Sequence, residues 1–164
     1  MEKKTIDTVR DLKLNYYLYL PEDYDQSDEN YPLILFLHGA GERGDTLEDL
    51  DRVLIHGVPQ YIKHNPDFPF IVVMPQCPTM SYWPIQVENL KVLLDEIIEN
   101  YRVDRSKVYL TGLSMGGYGT WYLAWQYPEC LAAIAPVCGG GIPSSGDLLK
   151  DMPILVFHGE KDQV

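Results

Sequence analysis

Apolar and polar positions along this chain fall into blocks of two kinds, short β-type runs and a longer helical stripe. Leu14-Asn-Tyr-Tyr-Leu-Tyr-Leu20 alternates at period two and stops at Pro21, which predicts a partly exposed antiparallel strand. Apolar runs at about 33–37, 70–74, 107–111, 131–137 and 154–158 have the length and bounding residues of buried strands. Helices lie between them. The clearest covers 87–101, where Val87, Leu90, Leu94, Ile97 and Tyr101 share one stripe while Glu88, Lys91, Asp95 and Glu99 face out. Strands alternating with helices imply an α/β fold: a mostly parallel sheet, helices on both faces, right-handed crossovers. No internal repeat, low-complexity tract or interdomain linker interrupts the pattern, and the acidic stretch 22–29 reads as an exposed connection.

Chemistry enters where one of these strands breaks. Lys107-Val-Tyr-Leu-Thr-Gly-Leu-Ser114-Met-Gly-Gly-Tyr-Gly-Thr-Trp121 runs from an apolar strand through Gly112-x-Ser114-x-Gly116 into a helix. A serine at such a sharp turn has its hydroxyl pushed out of the sheet, and glycines are needed on either side where a Cβ would collide. The following helix aims its N-terminal amides and positive dipole end at charge forming beside that serine. Ser114 is therefore the candidate nucleophile, and strand, turn and helix occurring together favour that reading over an idle serine in a Gly-rich turn. Upstream, Tyr31-Pro-Leu-Ile-Leu-Phe-Leu37 ends in His38-Gly-Ala-Gly-Glu-Arg-Gly44. An oxyanion hole takes one amide from the residue after the nucleophile, here Met115, and one from such a strand-end loop. Ala40 is the expected second donor and Gly41 the alternative. His38 belongs to the strand end and is expected to orient the loop by hydrogen bonds rather than to act as a base.

A further apolar run, Met152-Pro-Ile-Leu-Val-Phe-His158-Gly-Glu-Lys-Asp162, again stops at His-Gly and is followed by acids. With these blocks in view, the chain resembles roughly the N-terminal two thirds of an α/β-hydrolase of the carboxylesterase and feruloyl-esterase type, similar to dienelactone-hydrolase and prolyl-oligopeptidase-like esterases. The blocks that carry the resemblance are 37–44, Pro75-Gln-Cys-Pro78, 103–120, Pro136-Val-Cys-Gly-Gly140 and 156–162. It implies a triad in chain order Ser, acid, His, in which Asp162 fits the acid and Glu160 is the runner-up. The base of such enzymes lies beyond the acid, yet only Gln163 and Val164 follow Asp162. His38, His56, His64 and His158 all precede it. His56 and His64 read as solvated surface, and His158 as a structural strand-end residue. The expectation is a single, incomplete α/β-hydrolase domain over 1–164, its C-terminal strand and helix missing and an apolar sheet edge left exposed at 154–157.

Composition narrows the function further. A net charge of −11 disfavours nucleic acid and anionic membranes as partners, because phosphate is bound through basic patches. No apolar run approaches the roughly 18 to 20 residues that cross a bilayer. Met1-Glu-Lys-Lys-Thr-Ile-Asp lacks the apolar core of a secretory signal, so a cytoplasmic address is expected, with secretion open if a signal has been removed. Cys77, Cys130 and Cys138 are odd in number and lack zinc spacing, which reads as reduced thiols and no metal site. Tyr82 and Trp83 follow the strand end at 75–78, at the edge of the sheet where open α/β folds bind ligands, and are candidates to wall an acyl or aromatic pocket, with Trp83 placed in the site, whereas Trp121, Tyr122 and Trp125 read as core packing. The function expected is a serine carboxylic-ester hydrolase that works through an acyl-enzyme on a small or saccharide-linked ester, without metal or organic cofactor. A serine peptidase of prolyl-oligopeptidase type and a catalytically incomplete binding protein are the alternatives. The oligomeric state stays open.

Overall fold

Strand β2 (Lys13–Tyr19) sends Leu14, Tyr16 and Leu18 to one face of a sheet and Tyr17 and Tyr19 to the other, and both sets are buried. The computed structural model that shows this describes residues 1–9 and 13–163. The remaining strands are β1 (Glu2–Asp7), β3 (Tyr31–Leu37), β4 (Ile71–Pro75), β5 (Val103–Leu113) and β6 (Ala133–Val137), ordered β1-β2-β4-β3-β5-β6 across one sheet. β1 and β4 flank β2 antiparallel, whereas β3 pairs parallel with β4 and β5, and β5 with β6. β2 is thus an internal strand, not the partly exposed one expected, because charged β1 takes the edge and both of its faces are covered.

Helices α1 (Val58–His64), α2 (Val87–Asn100) and α3 (Met115–Gln126) complete the layers. The predicted stripe of α2 is the buried one, with Leu90, Leu93, Leu94 and Ile97 packed on the sheet beside Leu33, Leu35 and Val108. Each such side chain contributes about 2 kcal/mol over leaving it in water. Leu50, Val53 and Ile62, from a 3-10 segment at Asp49–Leu54 and from α1, cover Phe36, Val72 and Met74 on the opposite face. Residues 154–158 are not the buried strand expected. Only isolated parallel bridges, Ile134 to Ile154 and Val137 to Phe157, tie them to β6, and Ile154, Leu155, Val156 and Phe157 are exposed. Nothing packs on their outer side among the described residues. No helix among those residues is long and apolar enough to cross a membrane.

The strand order also decides where a ligand can sit. From β3 the chain moves outward to β4, then crosses back to lay β5 on the other side of β3. Connections leaving β3 and β5 therefore diverge, and the C-terminal ends of these strands open a crevice at the switch point.

Candidate active site

Ser114 stands at that crevice, alone between the end of β5 and the start of α3. Its backbone has φ 54° and ψ −115°, a conformation that costs a side-chain-bearing residue about 1–3 kcal/mol and persists only where its surroundings enforce it. The enforcement is visible. Ser114 N–H donates to Val137 O at 2.8 Å and Ser114 O accepts from Tyr118 N–H at 3.1 Å. A Cβ on Gly116 would lie 1.9 Å from Leu37 O, and one on Gly112 2.3 Å from Gly116 O. The first turn of α3 can reach the ends of β3 and β5 only because these positions carry no side chain. Ser114 itself is exposed. Met115 is the first residue of α3, so its N–H has no acceptor within the helix.

The loop after β3 comes up against this turn. A Cβ built on Gly39 would be 3.9 Å from Ser114 Cβ and 3.7 Å from Leu113 O. His38 beneath it is buried, and its Nε2 accepts Cys77 N–H at 2.9 Å. Nδ1 is therefore the protonated nitrogen, and it donates to Gly39 O at 2.6 Å. Burial pushes the His38 pKa down to about 4, so the ring is neutral in the ordinary range. With both nitrogens engaged, His38 has the loop-orienting place expected of it. Ala40 opens a short 3-10 turn, Ala40–Glu42, and is exposed.

Ala40, Ser114 and Met115 line one cleft of about 450 Å³ together with Tyr82, Pro84, Ile85, Tyr118 and Tyr122. Among the described residues no charged side chain lines it. Trp83 is not in this wall, contrary to expectation. It is fully buried, donates Nε1–H to His38 O at 2.9 Å, and packs so closely under α3 that a Cβ on Gly119 would be 2.4 Å from its own. The 3-10 turn Trp83–Ile85 is the cause: successive side chains on it point about 120° apart, so Trp83 turns inward while Pro84 and Ile85 face the cleft, beside Tyr82, the extended residue before the turn. Tyr118 and Tyr122 were missed as cleft residues, and Tyr122 both packs on the core and reaches the cleft. Their spacing held the signal, since positions 114, 118 and 122 share one helical face.

Asp162 follows the bridged segment that lies along β6. Cys138 N–H donates to Phe157 O at 2.8 Å, one residue beyond the carbonyl that holds Ser114 N–H. Asp162 Oδ2 is 3.5 Å from His158 Nε2, and Asp162 N–H donates to Gly159 O at 3.0 Å. No hydrogen bond joins a histidine to Ser114 among the described residues. His56 and His64 are exposed, as expected, with His56 3.9 Å from Glu42. Cys77, Cys130 and Cys138 are free thiols, and burial pushes Cys77 up to about 12. Among the described residues no cluster of His, Cys, Asp and Glu could hold a metal ion.

The model of the Esterase family matches residues 9–143. The chain belongs to that esterase family. The chain is 31% identical over 147 residues to the bifunctional acetylxylan esterase/xylanase XynS20E of Neocallimastix patriciarum, covering 82% of this chain and 20% of that protein. It is 30% identical over 139 residues to feruloyl esterase B of Thermothelomyces thermophilus, covering 77% of this chain and 44% of that protein. Among solved structures, a thermostable esterase superposes with a TM-score of 0.81 at 36% identity, over 99% of this chain and 47% of that one. A mutant of the feruloyl esterase module from Clostridium thermocellum, complexed with sinapinate, superposes at 0.67 with 20% identity over 92% of this chain and 60% of that one, which bears on the fold alone. The chain has the α/β-hydrolase fold, and it spans less than half the length of the thermostable esterase and of both sequence relatives.

Proposed function

We propose that the protein is a serine carboxylic-ester hydrolase acting through an acyl-enzyme on a small or saccharide-linked ester. The observation that carries this reading is the exposed Ser114, held at φ 54° at the head of α3, in one cleft with Ala40 and Met115. In the proposed reaction Ser114 Oγ attacks the ester carbonyl carbon while an imidazole takes its proton, and the carbonyl π pair moves onto oxygen. The resulting oxyanion receives the N–H groups of Met115 and Ala40. Collapse expels the alcohol, which leaves with the proton from the imidazolium, and the acyl group stays on Ser114 Oγ. Water then repeats the sequence and releases the acid. The chemistry asks for no metal or organic cofactor.

Asp162 has the role of orienting the imidazole and stabilising its cation. None of the four histidines suits the base: His38 is fully engaged beneath the loop, His56 and His64 face solvent, and His158 lies beside Asp162 without a bond to Ser114. The reading therefore takes the imidazole from outside these 164 residues. The uncharged, tyrosine-lined cleft supports a neutral substrate, and the acetylxylan esterase and feruloyl esterase relatives support one attached to a saccharide. The test is turnover of p-nitrophenyl esters by the gene-encoded protein. Ser114→Ala should lower it about 10⁴-fold or more with the fold retained, and Asp162→Asn should lower it strongly but less. Near wild-type turnover in Ser114→Ala would overturn the assignment.

A further inference from the structure

The peptide units on either side of Ala40 are each gripped by a different side chain. The unit before it, whose N–H is Ala40's own, is held at Gly39 O by His38 Nδ1–H at 2.6 Å. The unit after it, whose N–H is that of Gly41, is held at Ala40 O by Arg43 Nε–H at 2.9 Å. In a trans peptide the N–H and C=O point in opposite directions, so a grip on each carbonyl fixes the direction of each amide. Arg43 does more than hold its own loop. Its Nη1–H donates to Ser81 O at 3.2 Å, and Ser81 immediately precedes Tyr82 in the cleft wall. Arg43 O in turn accepts from Arg52 Nη1–H at 3.0 Å, which anchors the backbone of Arg43 while its side chain reaches across.

We propose that Arg43 is a positioning residue of the active site: its guanidinium ties the loop that carries the Ala40 amide to the 81–85 wall, setting the distance between the oxyanion hole and the tyrosine-lined side of the cleft. This inference rests on the ester-hydrolase reading above. Only a planar fork spans both carbonyls, since Nε and Nη1 point along different edges of one rigid group, whereas a lysine ammonium on its flexible stem can satisfy one site at a time. The contribution falls on the transition state. A ground-state carbonyl makes weaker use of the hole than the oxyanion does, so a loop that lets the hole drift from the cleft wall lowers kcat more than it raises KM.

The test uses the gene-encoded protein with p-nitrophenyl acetate, whose acyl group is too small to depend on the cleft wall. Arg43→Ala should lower kcat about tenfold to hundredfold, the scale of a misplaced oxyanion donor, with KM changed less than about threefold. Guanidinium ion at a few tens of millimolar should restore part of the lost kcat in Arg43→Ala and none in wild type. Arg43→Lys should fall between wild type and Arg43→Ala, and it reads the same effect if Arg43→Ala does not fold. A wild-type kcat in a folded Arg43→Ala or Arg43→Lys overturns the proposal, and so does a loss expressed in KM alone or one that guanidinium leaves untouched. Absence of Ser114-dependent turnover in the wild-type protein would instead overturn the reading beneath it, and the two failures are told apart by the Ser114→Ala control.

Discussion

His38 shows how one side chain can hold a site without taking part in its chemistry. It is kept neutral by burial, with its pKa down at about 4 from an ordinary 6.5; accepting Cys77 N–H needs the bare Nε2 of the neutral ring, whereas the bond to Gly39 O favours the charged form and offsets part of the shift. Between those values the unfolded chain binds more protons than the folded one, so stability rises with pH across the window and is complete above 6.5. Acidification from about 6.5 to about 4 should remove about 3 kcal/mol through this residue. His38→Asn can still donate to Gly39 O and cannot titrate. Its urea midpoint should lie below wild type at pH 7, with the gap narrowing steadily toward pH 4.5, and a gap that stays constant over that range would refute the linkage. The same scale shows what sequence can disclose of a site. Ser114, Met115 and Ala40 share a cleft because each belongs to a local motif, where the turn or strand end dictates the neighbour. Trp83 was misplaced because the turn that faces it inward has no marker in the side chains themselves. The contact of Arg43 with Ser81 crosses from one strand-end loop to another and leaves no trace in either segment.

Secondary elements here differ in what specifies them. α2 is set by its stripe, so its bounds and its buried face were legible from periodicity. α3 is set by closeness, since Gly116, Gly117 and Gly119 are buried against strand ends and Trp83, and a glycine-rich run carries no stripe to read. A methyl group discriminates between the two regimes. On Gly116 it would meet Leu37 O at 1.9 Å, a backbone atom that cannot turn aside, whereas on Gly41 it would meet nothing within 4 Å. Gly116→Ala should therefore cost at least about 3 kcal/mol, the upper part of the overpacking range, and Gly41→Ala should stay within about 0.5 kcal/mol of wild type. Denaturant titration of both variants decides the matter. Equal losses would mean that α3 is not held by backbone contact at Leu37. β1 escaped the sequence reading for a related reason: Glu2-Lys-Lys-Thr-Ile-Asp7 has almost no apolar signal, and only its ladder with β2 makes it a strand.

The sheet as a whole ends in two unlike edges. β1 presents Glu2, Lys3, Lys4 and Asp7, a charge-bearing edge of the kind that deters pairing with another chain. At the far side Ile154, Leu155, Val156 and Phe157 are 36–60% exposed and bridged to β6 only at isolated points. Behind them Ile34, Phe70, Tyr109, Ala133 and Ala135 line an apolar hollow of about 420 Å³ that Leu155 also borders. An extended apolar segment with a free outer side is a template for strand addition, and the hollow beside it adds surface that water covers poorly. The purified 164-residue chain should accordingly self-associate through the 154–157 edge and not through β1. Light scattering over a concentration series should show mass rising above that of one chain, and Leu155→Lys with Phe157→Lys should return it toward the monomer. Those side chains are already exposed, so charging them costs little in the fold. Lysine at Thr5, an exposed position of the β1 edge, should change nothing. Association that survives the double substitution, or that Thr5→Lys abolishes, would place the sticky edge on the wrong side of the sheet. A monodisperse monomer at all concentrations would mean that the bridged segment folds back on its own edge, leaving no template to pair.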